Sequence, residues 1–378
     1  MNRASALLLR QIVEPGQGPW VVGDLKQAIY RFRGGSPLNM ARFEDDFPGA
    51  SSTDLGVNYR SGGKIVRGFQ TFEKDMAAAM LAPVVKLKAN RGEGAGAILF
   101  EVASDFPSEC EGIARTINGA VLDGGRYGDH AILARSHTTL ARLAKHLERR
   151  GVPCLYFGNF FEREEVRNLL SLLSLGSERT GIGLLRVSQF EQYSIPYEDV
   201  RLVFDWQRAH DLRLLAALKQ IGEIEGLSEA GREGLGRLSR DIADVDFPMS
   251  AHRFLLSFLF RRDDHLRPLL QDKTVAGQQR RLAIYQLLQF AFAFRSRPGK
   301  DPKYAFLEHI RTLEILDEEK QLRQLPAAAS DIDAVRMMTV HASKGLQFPI
   351  VHIPSVTSRH FPVNRADVNY PPAEPGAL

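Results

Sequence analysis

Gly128-Asp129-His130-Ala131-Ile132-Leu133-Ala134-Arg135-Ser136 decides the fold class of this 378-residue chain. Ala131 to Ala134 is a short apolar run behind a Gly-Asp turn, which reads as a buried strand. Leu140, Leu143 and Leu147 then recur at helical spacing, and Gly151 is a helix-stop signal. The same alternation extends in both directions. Upstream, Trp20-Val21-Val22 predicts a buried strand ending at Gly23-Asp24. Ile65, Phe69, Phe72 and Met76 mark a helix face. Ala97 to Val102 predicts another strand, and Ile113, Ile117 and Val121 another helix. Downstream, a helix is predicted over Glu164 to Leu173. Strands separated by helices predict a parallel α/β sheet.

The pattern changes after Gly176. From there to Ala334 the periodicity is mostly helical, as in Leu212 to Ile224, Phe254 to Phe260 and Leu282 to Phe294. Strands return at Val335 to Val340 and Phe348 to Val356. The layout is thus a sheet interrupted by a helical block and then resumed. No internal repeat or low-complexity tract is present, and the tail, Tyr370-Pro371-Pro372-Ala373-Glu374-Pro375, reads as loop.

Composition excludes some classes and leaves function open. Hydrophobic residues make up 44% and charged residues 25%, ordinary for a globular protein. No apolar run approaches the ~20 residues that span a bilayer. The opening Leu7-Leu8-Leu9 is cut short by Arg10 and Gln11, unlike a signal peptide. Cys110 and Cys154 make neither a disulfide framework nor a zinc site, so a reducing cytoplasm is the expected location. The net charge of +4 permits a nucleic-acid partner without arguing for one, because 49 basic residues face 45 acidic ones.

Three stretches carry chemistry. The first is Val21-Val22-Gly23-Asp24-Leu25-Lys26-Gln27-Ala28-Ile29-Tyr30-Arg31-Phe32-Arg33-Gly34-Gly35. Its strand end, polar amide and interleaved aromatics and arginines suit a phosphate and stacked bases. A strand and turn with the aromatics folded into the core fits equally. The second is Leu55-Gly56-Val57-Asn58-Tyr59-Arg60-Ser61. There a ring beside a guanidinium suits a nucleotide, while a turn with Ser61 capping the next helix is the plain alternative. The third runs from Val335 to Val351 through Thr339-Val340-His341-Ala342-Ser343-Lys344-Gly345-Leu346-Gln347. Its polar loop offers backbone N–H groups, Ser343 and Lys344 to a phosphate, or is simply an exposed turn.

In order and spacing these stretches resemble motifs III, IV and V of the UvrD/Rep/PcrA-type superfamily 1 DNA helicases. Gly128 to Pro153 and Phe160-Phe161-Glu162-Arg163-Glu164-Glu165-Val166 are weaker echoes of the same family. The resemblance implies a P-loop NTPase (RecA-like) α/β fold. It divides the chain into the remnant of a first RecA-like domain (1–54), the first part of a second RecA-like domain (55–178), a mostly α-helical insertion (179–334) and the truncated second part of the second RecA-like domain (335–378). It implies that Gln27 senses the γ-phosphate, Tyr59 packs on adenine and Arg60 is an arginine finger. Tyr30, Phe32, Arg33, Thr339, His341, Ser343 and Lys344 would lie along DNA. Gln347 stands where the family has a glutamate on the nucleotide sugar, and an amide there loses charge-assisted strength. Gly35 replaces the family's closing alanine.

The implied activity is ATP-dependent 3′-to-5′ translocation on single-stranded DNA and unwinding at single/double-strand junctions, in repair or recombination. ATP and magnesium (Mg2+) are the implied ligands. No Gly-x-x-x-x-Gly-Lys-Ser/Thr loop occurs: Gly63-Lys64 is followed by Ile65, and Gly299-Lys300 by Asp301. The resemblance places that loop and the magnesium carboxylates upstream of Met1 and a last motif beyond Leu378. The expectation is therefore a fragment with little ATPase of its own. Two other readings stand beside it. Gln347-Phe348-Pro349 resembles the helicase subunit of AddA/RecB-type helicase–nucleases, and a non-catalytic single-stranded-DNA-binding module fits the missing loop.

Overall fold

The computed structural model describes residues 2–13, 18–30, 34–73, 76, 85–178, 180–243, 245, 249–261, 263–315, 329 and 331–357. The chain divides into two compact units. One comprises Met1–Gly112, Thr339–Pro349 and Ile353–Leu378, the other Ile113–Met338 and Ile350–His352.

The first unit opens with helix α1 (Arg3–Ile12), whose N-terminus is capped by the Asn2 side chain accepting from Ser5 N at 2.8 Å. The short helices α2 (Leu38–Ala41) and α3 (Phe43–Asp46) follow. Asp46 receives Arg3 at 3.2 Å and Arg10 at 3.0 Å, which ties α3 back to one face of α1. Strand β1 (Val57–Asn58), helix α4 (Gly63–Glu73) and strand β2 (Lys88–Ala89) make a small parallel β–α–β unit with Val57 opposite Lys88. Helix α5 (Phe106–Leu122) begins here.

The second unit contains β3 (His130–Ala134), α6 (His137–Glu148), β4 (Cys154–Leu155) and α7 (Glu164–Ser177), followed by a run of helices. These are α8 (Leu184–Val187), α9 (Tyr197–Ala209), α10 (Leu214–Lys219), α11 (Glu229–Asp241), α12 (Ala251–Arg261), α13 (Asp263–Gln271), α14 (Val275–Ala293) and α15 (Pro302–Ile315). Then come β5 (Val335–Thr339) and β6 (Ile350–His352). The sheet order is β4-β5-β3-β6, with β4/β5 and β3/β6 parallel. An early strand, β3, thus lies between two late ones, so the sheet closes only after the helical block has been traversed. The predicted α/β class with a parallel sheet, interrupted and resumed, is what the chain adopts.

Local chemistry explains the best-formed pieces. Ser136 accepts from Thr139 N and starts α6, Leu140, Leu143 and Leu147 are fully buried, and Gly151 takes φ +75 just past the end. That left-handed conformation is the one glycine adopts at little steric cost. In the helical layer, Leu172 and Leu173 of α7 pack in one core with Phe254 and Leu255 of α12, Leu287 of α14 and Phe306 of α15. Lys303, wholly buried there, donates to Asp301 Oδ1 at 3.2 Å and Met249 O at 3.4 Å, so its charge is matched.

Two predicted strands are corrected. Trp20-Val21-Val22 is not in a sheet, and Trp20 is 90% exposed. Ala97 to Val102 is likewise unpaired, with Val102 96% exposed. An apolar run becomes a strand only when a neighbouring backbone takes up its N–H and C=O groups, and neither run pairs with another strand among the described residues. Several ends also shift. The helix over Ile65 to Phe72 stops at Glu73, short of Met76. The strands predicted at Val335 to Val340 and Phe348 to Val356 are shorter, at Val335–Thr339 and Ile350–His352. The tail from Tyr370 lies outside the described residues. Among them no helix is long and apolar enough to cross a membrane.

Candidate functional site

The candidate residues that are described belong to the first unit. Asp24 organises the first stretch. One carboxylate oxygen accepts from Lys26 N at 2.9 Å and starts a single 3-10 turn over Leu25–Gln27. The other accepts from Gln27 Nε2 at 3.0 Å. The Gly-Asp pair therefore aims the Gln27 amide, which is exposed. The neighbouring Lys26 reaches the buried Glu73 carboxylate at 2.6 Å. Burial pulls the Lys26 ammonium down, but the hydrogen bond it donates to Glu73 and the charges of Asp24 and Glu73 outweigh it and hold its pKa above the ordinary lysine value.

The first and third stretches are fastened to each other. Tyr30 donates its hydroxyl to His341 O at 2.8 Å, across 311 positions of sequence. The two rings lie 5.8 Å apart and tilted at 48°. In return, Lys344 donates Nζ to Gln27 O at 2.8 Å, with that nitrogen 5.5 Å from the centre of the Tyr30 ring. The loop that carries Lys344 is braced from within. Thr339 Oγ1 accepts from Ala342 N at 3.2 Å, Ser343 donates Oγ to Val340 O at 2.9 Å, and Gly345 turns the chain at φ +94. Thr339 and Ser343 thus spend their hydroxyls on the loop, while Gln347 just beyond it is exposed. Gly35 also has a reason to differ from alanine: a Cβ there would stand 2.9 Å from Tyr30 O, the atom that Gly35 N approaches at 3.1 Å.

In the second stretch Asn58, not Ser61, supplies the acceptor. Its Oδ1 takes Arg60 N at 3.0 Å and Ser61 N at 2.8 Å. Arg91 Nε donates to Tyr59 O at 3.1 Å. This tight turn leaves the Tyr59 ring 68% exposed and Arg60 exposed beside it. The following Gly62 and Gly63 let the start of α4 lie on the 92–96 loop: a Cβ at either would come within 2.4 Å of that loop's backbone.

The structure thus brings Gln27 and Tyr30 together with His341 and Lys344, and holds Tyr59 and Arg60 apart from them. Lys26, next to Gln27, pairs with the last residue of α4, whereas Tyr59 and Arg60 precede its first. An eleven-residue helix puts about 15 Å between those ends. Phe32 and Arg33 lie outside the described residues. Among those described, no group of three or more His, Cys, Asp or Glu side chains converges to hold a metal ion. The magnesium implied by the resemblance has no ligand set in them. The supporting roles of Glu73, Asn58 and Gly62 were not legible in advance. An acid at a helix end and glycines near a turn are ordinary in any surface sequence, and only the fold shows what they meet.

The family described as UvrD-like helicase C-terminal domain matches residues 53–225 and 250–370, and the UvrD/REP helicase N-terminal domain matches residues 1–48. The chain is 25% identical over 371 residues to the ATP-dependent DNA helicase PcrA of Bacillus subtilis, covering 97% of this chain and 49% of the relative. It is 27% identical over 356 residues to DNA helicase II of Escherichia coli, covering 90% and 47%. To PcrA of Staphylococcus aureus it is 24% identical over 370 residues. The chain spans about half the length of the curated relatives it matches. With most of its residues matched, in an α/β fold of parallel strands, the chain belongs to the UvrD-like helicase family.

Proposed function

We propose that this chain forms the nucleotide-sensing and strand-gripping half of an ATP-driven DNA helicase that moves 3′ to 5′ on single-stranded DNA and opens single/double-strand junctions in repair or recombination. The observation that carries the reading is the fastening of Gln27 and Tyr30 to His341 and Lys344. It puts an exposed amide suited to a γ-phosphate next to an aromatic ring suited to a base. Tyr59 and Arg60, exposed just before α4, act on the nucleotide when its binding draws them toward the phosphates that Gln27 reads. Tyr59 stacks on adenine, Arg60 stabilises charge developing during phosphoryl transfer, and Gln347 meets the sugar. Tyr30, Phe32, Arg33, Thr339, His341 and Ser343 line the DNA strand. Residues 1–54 belong to a first motor domain, 55–178 and 335–378 to a second, and 179–334 to its helical insertion. The protein works in the cytoplasm.

Fluorescence anisotropy with a labelled single-stranded oligonucleotide tests the reading. Base–aromatic stacking contributes ~1–3 kcal/mol per base, so Tyr30→Ala is expected to weaken binding roughly five- to a hundredfold. Absence of single-stranded DNA binding by the unaltered chain defeats the proposal. A second reading, a DNA-binding module that works without ATP, is favoured by the lack of a Gly-x-x-x-x-Gly-Lys-Ser/Thr loop in these 378 residues. Affinity that is indifferent to every adenine nucleotide would select it.

A further inference from the structure

Resting on the reading above, we propose that Lys344 is a positioning residue, not a phosphate contact: it sets the face of Tyr30 and couples that face to Gln27. A lysine in a polar loop beside a DNA path is ordinarily read as a point charge for a phosphate. Here the ammonium, although on an exposed side chain, is already engaged by the protein. It donates to Gln27 O at 2.8 Å and stands 5.5 Å from the centre of the Tyr30 ring. Swinging it away to follow a phosphate would weaken both contacts.

The ring it approaches is held from its other end. The Tyr30 hydroxyl is donated to His341 O at 2.8 Å, so the tip of the ring cannot swing away from the loop. Two contacts of different kinds thus fix one ring, a hydroxyl anchor at the tip and a cation near the ring. A cation near an aromatic face is attracted by its quadrupole, and a ring locked before a base arrives loses less freedom on stacking. Because Lys344 grips the backbone of Gln27 as well, displacement of that residue is carried to the ring. The Gln27 amide is meanwhile held by Asp24 at 3.0 Å. Asp24, Gln27, Lys344 and Tyr30 therefore form a short chain of contacts from a phosphate-sensing amide to a base-stacking ring.

The test compares Lys344→Gln and Lys344→Arg with the unaltered chain. Affinity for a single-stranded oligonucleotide is measured over a series of salt concentrations. A positioning role predicts that Lys344→Gln weakens binding roughly tenfold, through loss of the charged hydrogen bond and the ring contact, while the slope of log K against log salt does not change. Lys344→Arg, which keeps both kinds of contact, should recover most of the loss. A slope shallower by ~0.7 in Lys344→Gln is the signature of one lost phosphate contact and overturns the proposal. Unchanged affinity overturns it too. Failure of the unaltered chain to bind DNA would sink the preceding reading instead. The clasp is then judged in the free protein by hydrogen exchange: amides of 25–30 must exchange faster in Lys344→Gln, and equal rates refute it.

Discussion

His130 on β3 and His352 on the neighbouring strand β6 face each other, with Nδ1 of the first 3.0 Å from Nε2 of the second. Such a pair is held together when both rings are neutral, one donating to the other. Burial, and then the charge of His130, push the His352 pKa down to about 4, and burial lowers that of His130. An unfolded histidine takes up its proton near pH 6.5. Both states are neutral above that value. As pH falls from about 6.5 toward 4, the unfolded chain gains protons that the folded pair refuses. Stability is therefore expected to drop across that window, by roughly 3 kcal/mol for His352 alone. Urea midpoints at pH 7.5 and pH 5 measure it, and His352→Gln should flatten the difference. A midpoint that does not move in the unaltered chain contradicts the pairing.

Lys26 and Glu73 should respond unequally to mutation. Glu73 is almost wholly buried, whereas Lys26 is partly exposed and has Asp24 as a second partner at 3.7 Å. Lys26→Met leaves a buried carboxylate without its cation, which costs about 3–5 kcal/mol. Glu73→Gln leaves a half-solvated ammonium and is expected to cost less than about half of that. Chemical denaturation of the two variants decides it, and equal losses would count against the burial argument.

Gly62→Ala is expected to lower stability by at least about 1–3 kcal/mol. A Cβ at this position lies 2.4 Å from the backbone of Ala95, which cannot withdraw as a flexible side chain does. The same substitution at Gly119, with nothing within 4 Å, serves as the control. It lies inside α5, where alanine is the better helix former, and is expected to be neutral or stabilising by up to ~1 kcal/mol. Thermal melts of both variants provide the comparison.

For nucleotide binding, Tyr59→Ala is expected to weaken a fluorescent adenine nucleotide by roughly five- to a hundredfold, the range for one lost base–aromatic stack. Arg60→Lys should not restore what Arg60→Ala loses, because a planar two-pronged guanidinium is not replaced by a point charge. Equal binding by all three variants and the unaltered chain would remove this turn from the nucleotide site.

ATP hydrolysis by the chain on its own is expected to stay at background with and without DNA, since the sequence has no phosphate-binding loop to hold the β- and γ-phosphates. A coupled-enzyme assay reads this directly, and strong DNA-stimulated turnover would show that other residues do the loop's work.

What the sequence made legible was local. The apolar run Ala131 to Ala134, the leucines at 140, 143 and 147 and the stop at Gly151 each depend on residues a few positions apart, and β3 and α6 formed as read. The same reasoning failed for Trp20 to Val22 and Ala97 to Val102. Their composition suits a strand, but strand formation depends on a partner backbone that composition does not reveal. The motifs singled out Gln27, Tyr30, His341 and Lys344 as candidates but did not show their geometry. That Lys344 grips Gln27, or that His130 meets His352, depends on closure over hundreds of residues, where no periodicity reaches.

Both ties of the Tyr30–Lys344 clasp end on main-chain oxygens, those of His341 and Gln27. Every residue carries such an oxygen, so the tether points survive any replacement at 27 or 341. A lineage is free to retune the amide at 27, or the imidazole at 341, without loosening the joint that aligns them.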